Sequence, residues 1–303
     1  MRRESARVVS GDGTPIAWHT YSLSSDSSAL REMPSVVLTN GLGSTPRFWT
    51  RLIEGLAPTR RVVHWDYRGH GESGLSRSHD YTIATQAEDL ARVTLAVRAA
   101  GSSASPPVHI AFSMGVTVLL ELYRRRPQLV RAMVLVAGGA DHPYAASRAF
   151  RIPGVRTLVR GGLRAAAPVV PRLAPLVRAL SKSKAIYPTG RALGALAPEA
   201  SRDDIEHFFR TVGHMDLGAY WGTLRGLLAS HASDVLPTVR VPVLIVAPAW
   251  DVMAPACDLE QLRATIPRAE WLKIPHTGHA VLLEAGDQVA AGVNAFLVRL
   301  LEE

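Results

Sequence analysis

The sequence predicts an α/β fold, a mostly parallel central sheet with helices on both faces and one helical insertion. Three observations carry this. Short apolar runs of strand length alternate with longer amphipathic stretches from Val36 to Val136, as strands joined by crossover helices require. One junction, Val108-His109-Ile110-Ala111-Phe112-Ser113-Met114-Gly115-Val116, passes directly from strand to helix with a serine at the turn. The alternation stops after Gly138-Gly139 and resumes at Val241, which brackets the insertion.

Taken in order, Arg7 to Ser10 and Ile16 to Tyr21 read as a hairpin about the turn Gly11-Asp12-Gly13. Ser22 to Pro34 is a polar, serine-rich connection. Val36 to Thr39 is a strand, a helix follows near Phe48 to Leu56, and Arg61 to Trp65 is the next strand. Ile83 to Ala99 has the apolar spacing of an amphipathic helix, and Gly101 to Pro107 is a loop. After the strand that leads to Ser113, the helix Gly115 to Arg126 stops before Pro127, and Ala132 to Val136 is a strand. From Ala140 to Val235 the pattern is helical, broken by Pro153, Pro168, Pro171, Pro175, Pro188 and Pro198. Its best-defined helices are Arg202 to Val212 and Leu217 to Ser230. Val241 to Ala247 and Ala269 to Ile274 return to the sheet, and Gly286 to Leu301 is the last helix. The expected division is core at 1–139, helical cap at 140–235 and core again at 236–303.

Hydrophobic residues are 47% and charged residues 20% of the 303, the balance of a chain that folds around a core. No apolar stretch approaches the ~20 residues that span a bilayer. Met1-Arg2-Arg3-Glu4 gives the positive start of a secretory signal, but no apolar stretch follows, so a cytoplasmic location is expected. The single cysteine, Cys257, excludes an intrachain disulfide and is expected to be inert packing.

Charge is unevenly spread. From His142 to Pro198 there is no Asp or Glu, while Arg148, Arg151, Arg156, Arg160, Arg164, Arg172, Arg178, Lys182, Lys184 and Arg191 exceed the whole formal net charge of +8. Arg156, Arg160 and Arg164 share one helical face. A segment of this kind is either a solvated basic face or one that rests on an anionic membrane surface or attracts acidic substrates. No stacking aromatics interleave these arginines, so nucleic acid is not an expected partner.

Ala111 and Gly115, two before and two after Ser113, are small because chain passes close on both sides of a strained turn. The serine hydroxyl then stands at a helix N-terminus, whose free amides stabilise a developing negative charge. Such a hydroxyl attacks a carbonyl only when a base takes its proton. The chain offers Asp251, just past a strand, and then His279. His276 is the rival base, and Asp141, also after a strand, the rival carboxylate. His207, His214 and Asp216 are poor grounds for zinc, and no metal is expected.

In this Ser, Asp, His order the chain resembles the α/β-hydrolase superfamily. The run Val36-Val37-Leu38-Thr39-Asn40-Gly41-Leu42-Gly43 is similar to that family's strand and oxyanion loop, with Asn40 where a His usually stands. Asp66-Tyr67-Arg68-Gly69-His70-Gly71-Glu72-Ser73 is similar to its D-x-R-G-x-G-x-S turn, and Gly278-His279 through Glu284 to its G-H-x-x-x-x-E ending. Ala111 stands where the family most often has Gly.

The resemblance implies the α/β-hydrolase fold with a lid over Ser113. It implies Ser113 as nucleophile, His279 as base, Asp251 as the carboxylate that orients it, and the Leu42 and Met114 N–H groups as the oxyanion hole. Asp66, Arg68 and Glu72 are expected to be structural, and Phe48, Trp49, Phe112, Trp250 and Met253 to lie near the substrate pocket. The implied activity is that of a cofactor-free serine esterase, of carboxylesterase or lipase type. Its substrate would be a small ester with an apolar acyl group of short or medium length, a monoacylglycerol-type lipid being next. The same groups serve carbon-carbon hydrolysis of diketones, perhydrolysis of the haloperoxidase-like kind, thioester cleavage and acyl transfer. Dehalogenases and epoxide hydrolases of the superfamily carry an aspartate where Ser113 stands and are not expected. A ligand-binding protein that keeps the fold without turnover is the alternative of another class.

Overall fold

The computed structural model describes residues 1–22, 33–101, 105–141, 161–162, 164–192, 200–251, 253–254 and 256–302. Eight strands, β1 (Arg2–Val9), β2 (Pro15–Ser22), β3 (Val36–Thr39), β4 (Val62–Trp65), β5 (Val108–Phe112), β6 (Ala132–Val136), β7 (Val243–Pro248) and β8 (Ala269–Ile274), form one sheet in the order β1-β2-β4-β3-β5-β6-β7-β8. Only β2 runs against its neighbours; every other pairing is parallel.

The central strands are apolar throughout because both faces are covered. Along β6, Met133 and Leu135 enter one core while Ala132, Val134 and Val136 enter the other, the two-residue period of a strand. On the Met133 side lie helices α2 (Ile83–Ala100) and α3 (Met114–Arg125). On the other lie α1 (Thr50–Leu56) and the C-terminal helix Gly286–Glu302. Thr82 caps α2 by accepting from the Thr85 N–H.

β1 begins five residues earlier than expected. Its segment Arg2–Val9 is almost wholly exposed and mostly polar, so apolar patterning does not mark it. Backbone pairing with β2 from Arg2↔Ser22 to Val9↔Pro15 defines it, and its charges suit an edge strand that must not recruit further chains.

Between β6 and β7 the described residues are helical, with α4 (Ala174–Leu180), α5 (Ile186–Ala192), α6 (Arg202–His214) and α7 (Leu217–Ala229). Pro175 stands in the first turn of α4, where a missing N–H costs little, so it starts a helix rather than breaking one. Ser201 and Asp216 cap α6 and α7. Arg47 joins α6 to the core through Asp203 at 2.6 Å and Asp204 at 2.5 Å. Arg148, Arg151, Arg156 and Arg160 lie outside the described residues, as does the side chain of Cys257.

Candidate active site

Three loops at the carboxyl ends of β5, β7 and β8 bring together Ser113, Asp251 and His279. Ser113 follows β5 at φ 54°, ψ −120°, a region that costs a non-glycine residue roughly 1–3 kcal/mol. The turn is held by its N–H donating to Val136 O at 2.9 Å and its carbonyl accepting from Val116 N at 3.0 Å. A Cβ on Gly115 would lie 2.6 Å from Thr39 O, and one on Gly138 2.4 Å from Ser113 O, so backbone occupies both places. Ala111, by contrast, is fully buried in the core below, where a methyl group fits.

The Ser113 Oγ is 2.9 Å from His279 Nε2, and His279 Nδ1 is 2.8 Å from Asp251 Oδ2. The Asp251 side chain is fully buried, and its Oδ1 also accepts from the Met253 and Ala254 N–H groups, each at 2.8 Å. Glu284 accepts from Gly278 N at 2.5 Å, which explains its fixed distance from the histidine loop. The Trp250 N–H donates to Thr277 O and ties the two loops together.

The rivals are elsewhere. His276 is exposed and packs edge-on against Trp250 at 5.0 Å. Asp141 Oδ1 accepts from Ala232 N, Ser233 N and His231 Nδ1, joining the chain that leaves β6 to the chain that returns toward β7. It closes the base of the insertion rather than orienting His279.

The loop after β3 lies beside the serine. A Cβ on Gly41 would be 3.0 Å from Ser113 Cβ and 2.9 Å from the Phe112 ring. Leu42 follows directly, and Met114 opens α3, where first-turn N–H groups have no intrahelical acceptor. Asn40 braces this loop in a way sequence reasoning missed. Its Oδ1 accepts from Trp49 Nε1 at 2.7 Å, and its Nδ2 donates to Trp65 O at 3.2 Å and meets His64 Nε2 at 2.9 Å. Its carbonyl accepts from Tyr67 O–H at 2.7 Å. Burial pushes the His64 imidazole down to about 4, so at neutral pH it is uncharged, and its Nε2 pairs with the Asn40 amide.

Asp66, Arg68 and Glu72 lie in the turn after β4. Arg68, fully buried, forms a bidentate pair with Asp89 at 2.8 and 2.9 Å and reaches Asp12 at 3.1 Å. Burial opposes its charge, and these carboxylates more than restore it. Asp66 accepts from Glu72 N at 2.9 Å, and a Cβ on Gly71 would lie 2.3 Å from its carboxyl group. Among the described residues, the one grouping with metal-ligand chemistry is His19, His64 and Asp66. Within it His19 meets Asp66 at 3.4 Å and Ser5 at 2.9 Å, while His64 Nδ1 lies 3.9 Å from Asp66, beyond hydrogen-bond reach. His214 bonds Arg210 O and Asp216 caps α7; they do not converge with His207 on a metal site.

A pocket opens at the serine, lined by Met114, Thr117, Gly138, Gly139, Asp141, Leu227, Met253, Ala254, Asp258 and His279. Of the apolar residues expected at the pocket, only Met253 lines it. Phe112 packs on His279 at 5.3 Å, and Phe48 bridges Phe112 to Phe208 of α6. Trp49 is entirely core, because its indole N–H is spent on Asn40. Trp250 is half exposed against His276. Phe208, Val212 and Tyr220 cover the loop at Gly43, within 3.6 Å of where a Cβ would stand.

The family model for the alpha/beta hydrolase fold matches residues 34–286. A protein of Klebsiella pneumoniae named as a carbamate hydrolase, RutD, is 29% identical over 250 residues, 82% of this chain and 85% of that protein. An Escherichia coli protein of the same name is 26% identical over 249 residues, with the same shares covered. Among solved structures, an esterase of Thermogutta terrifontis superposes with TM-score 0.73 at 20% identity, covering 99% of both chains. An esterase of Exiguobacterium antarcticum superposes with TM-score 0.75 at 17% identity, covering 96% of this chain and 98% of that one. The chain belongs to the α/β-hydrolase family.

Proposed function

We propose that this hydrolase is a cytoplasmic, cofactor-free serine esterase of carboxylesterase type that cleaves small esters through an acyl-enzyme. The observation that carries this reading is the unbroken relay from Ser113 Oγ through His279 to the buried Asp251. As Oγ bonds to the carbonyl carbon, its proton passes to His279 Nε2. Asp251 holds Nδ1–H and stabilises the imidazolium. The carbonyl oxygen, now negative, lies toward the N–H groups of Leu42 and Met114. The tetrahedral intermediate collapses, His279 returns the proton to the leaving alkoxide, and an acyl-serine remains. Water then repeats the sequence, giving its proton to His279 and releasing the acid with Ser113 restored.

The cavity, with Leu227 and Met253 beside Thr117, Asp141 and Asp258, suits a short acyl group better than a long one. A p-nitrophenyl ester series tests this. Turnover falling beyond medium chains, and absent in Ser113→Ala, is expected; cleavage of a diketone or thioester with every ester untouched overturns it.

A second reading is cleavage of a small carbamate by the same groups. It is favoured by the name of the RutD relatives and by the two carboxylates at the cavity, which suit substrate N–H donors. Carbamate turnover faster than that of the isosteric ester selects it.

A further inference from the structure

On the cap, apolar side chains face outward where a folded chain would be expected to hide them. Val169, Leu173, Leu176 and Leu180 are 49%, 43%, 55% and 58% exposed. A single exposed leucine is ordinary, but these four recur at spacings of four, three and four, along one stripe running through the turn Val170–Leu173 into α4. Arg164, Arg172, Arg178, Lys182, Lys184 and Arg191, all exposed, lie in the same stretch of chain. No acidic residue occurs between 142 and 198 to offset them.

We propose that this face docks the enzyme on an anionic lipid surface. An exposed apolar stripe in a segment whose charges are all positive matches the acyl boundary and the charged headgroups of such a surface, whereas a neutral apolar partner would leave the cations without counter-charges. The position on the cap fits. Gly213 of α6 packs against Ser181 and Arg178 at the end of α4, while Phe208 and Val212 of α6 and Tyr220 of α7 reach the loop beside Ser113. Docked through α4, the cap lies between the lipid and the reactive serine, so an amphiphile leaving the bilayer meets the cap first. This goes beyond the proposed reaction and is read without turnover.

The test is co-sedimentation with vesicles of phosphatidylcholine containing phosphatidylglycerol, and with vesicles of phosphatidylcholine alone. The wild type is expected to bind the anionic vesicles and to be released by ~0.5 M salt. Leu173→Asp with Leu176→Asp should weaken binding by about tenfold or more, because charge enters the buried face. Arg172→Glu with Lys182→Glu should do the same through the headgroups. Both pairs are exposed, and unchanged circular dichroism and unchanged cleavage of a soluble ester show that the fold is retained. No binding at low salt overturns the proposal, as does binding that the leucine pair leaves untouched. Self-association abolished by the leucine pair, without vesicle binding, overturns it in favour of an interface between copies.

Discussion

Asn40→Ala probes a structural role that no local motif reveals. The side chain satisfies three buried groups, Trp49 Nε1, Trp65 O and His64 Nε2, at 2.7, 3.2 and 2.9 Å. Each buried group left unpaired costs about 1–3 kcal/mol, and water entering the vacated space would recover part of that. A net loss of about 3 kcal/mol is therefore expected, and urea unfolding at neutral pH measures it. Activity should fall too, because the Asn40 backbone leads directly into Gly41 and Leu42. Removing an oxyanion donor outright costs about 10²–10³ in kcat, so loosening one is expected to cost about tenfold, read with a soluble p-nitrophenyl ester. Less than about 1 kcal/mol lost, with kcat unchanged, would refute the assignment of Asn40 as the brace of this loop.

Other outcomes follow from the same geometry. Asp251→Asn should lower kcat by about 10⁴ because the amide no longer holds Nδ1–H, while Asp141→Asn should lower stability and leave most turnover; the reverse ranking in ester kinetics assigns the carboxylate role to Asp141. His64 and His109 are each held by burial at about 4, below the ordinary imidazole value. The unfolded chain therefore binds more protons between pH ~6.5 and ~4, and stability falls as pH drops through that window, by about 2 kcal/mol per histidine at pH 5. Urea midpoints that do not move between pH 7 and pH 5 contradict this. Gly71→Ala sets a methyl group against the Asp66 carboxyl at φ +52° and should destabilise by roughly 1–3 kcal/mol, whereas thermal unfolding of Gly161→Ala, with no atom within 4 Å of the new methyl, should be nearly unchanged.

The sequence was most legible where one short segment carries its own physics. The strand, serine and helix around Ser113 can be read from adjacent residues, because the turn needs small neighbours at fixed offsets. Glu284 was tied to the histidine loop by the resemblance of Gly278 to Glu284 to the family's G-H-x-x-x-x-E ending. β1 was partly missed because a polar edge strand exists only through its partner. Asn40, Trp49 and His64 escaped as a unit because their contact spans three segments, and Trp49 was taken for a pocket residue since apolar character does not say which way a ring faces. Phe208, Val212 and Tyr220 depend on how the helices between β6 and β7 seat on the loop after β3, which no spacing within those helices specifies. Asp141 looked like a catalytic carboxylate because both possible roles need an acid just past a strand.

The intact mass of the protein after exposure to a fluorophosphonate tests most directly whether Ser113, His279 and Asp251 act together. A single adduct on Ser113 is predicted, absent in Ser113→Ala and slowed by about 10² or more in His279→Ala. A wild type that stays unlabelled, or one labelled equally fast without His279, would contradict the account.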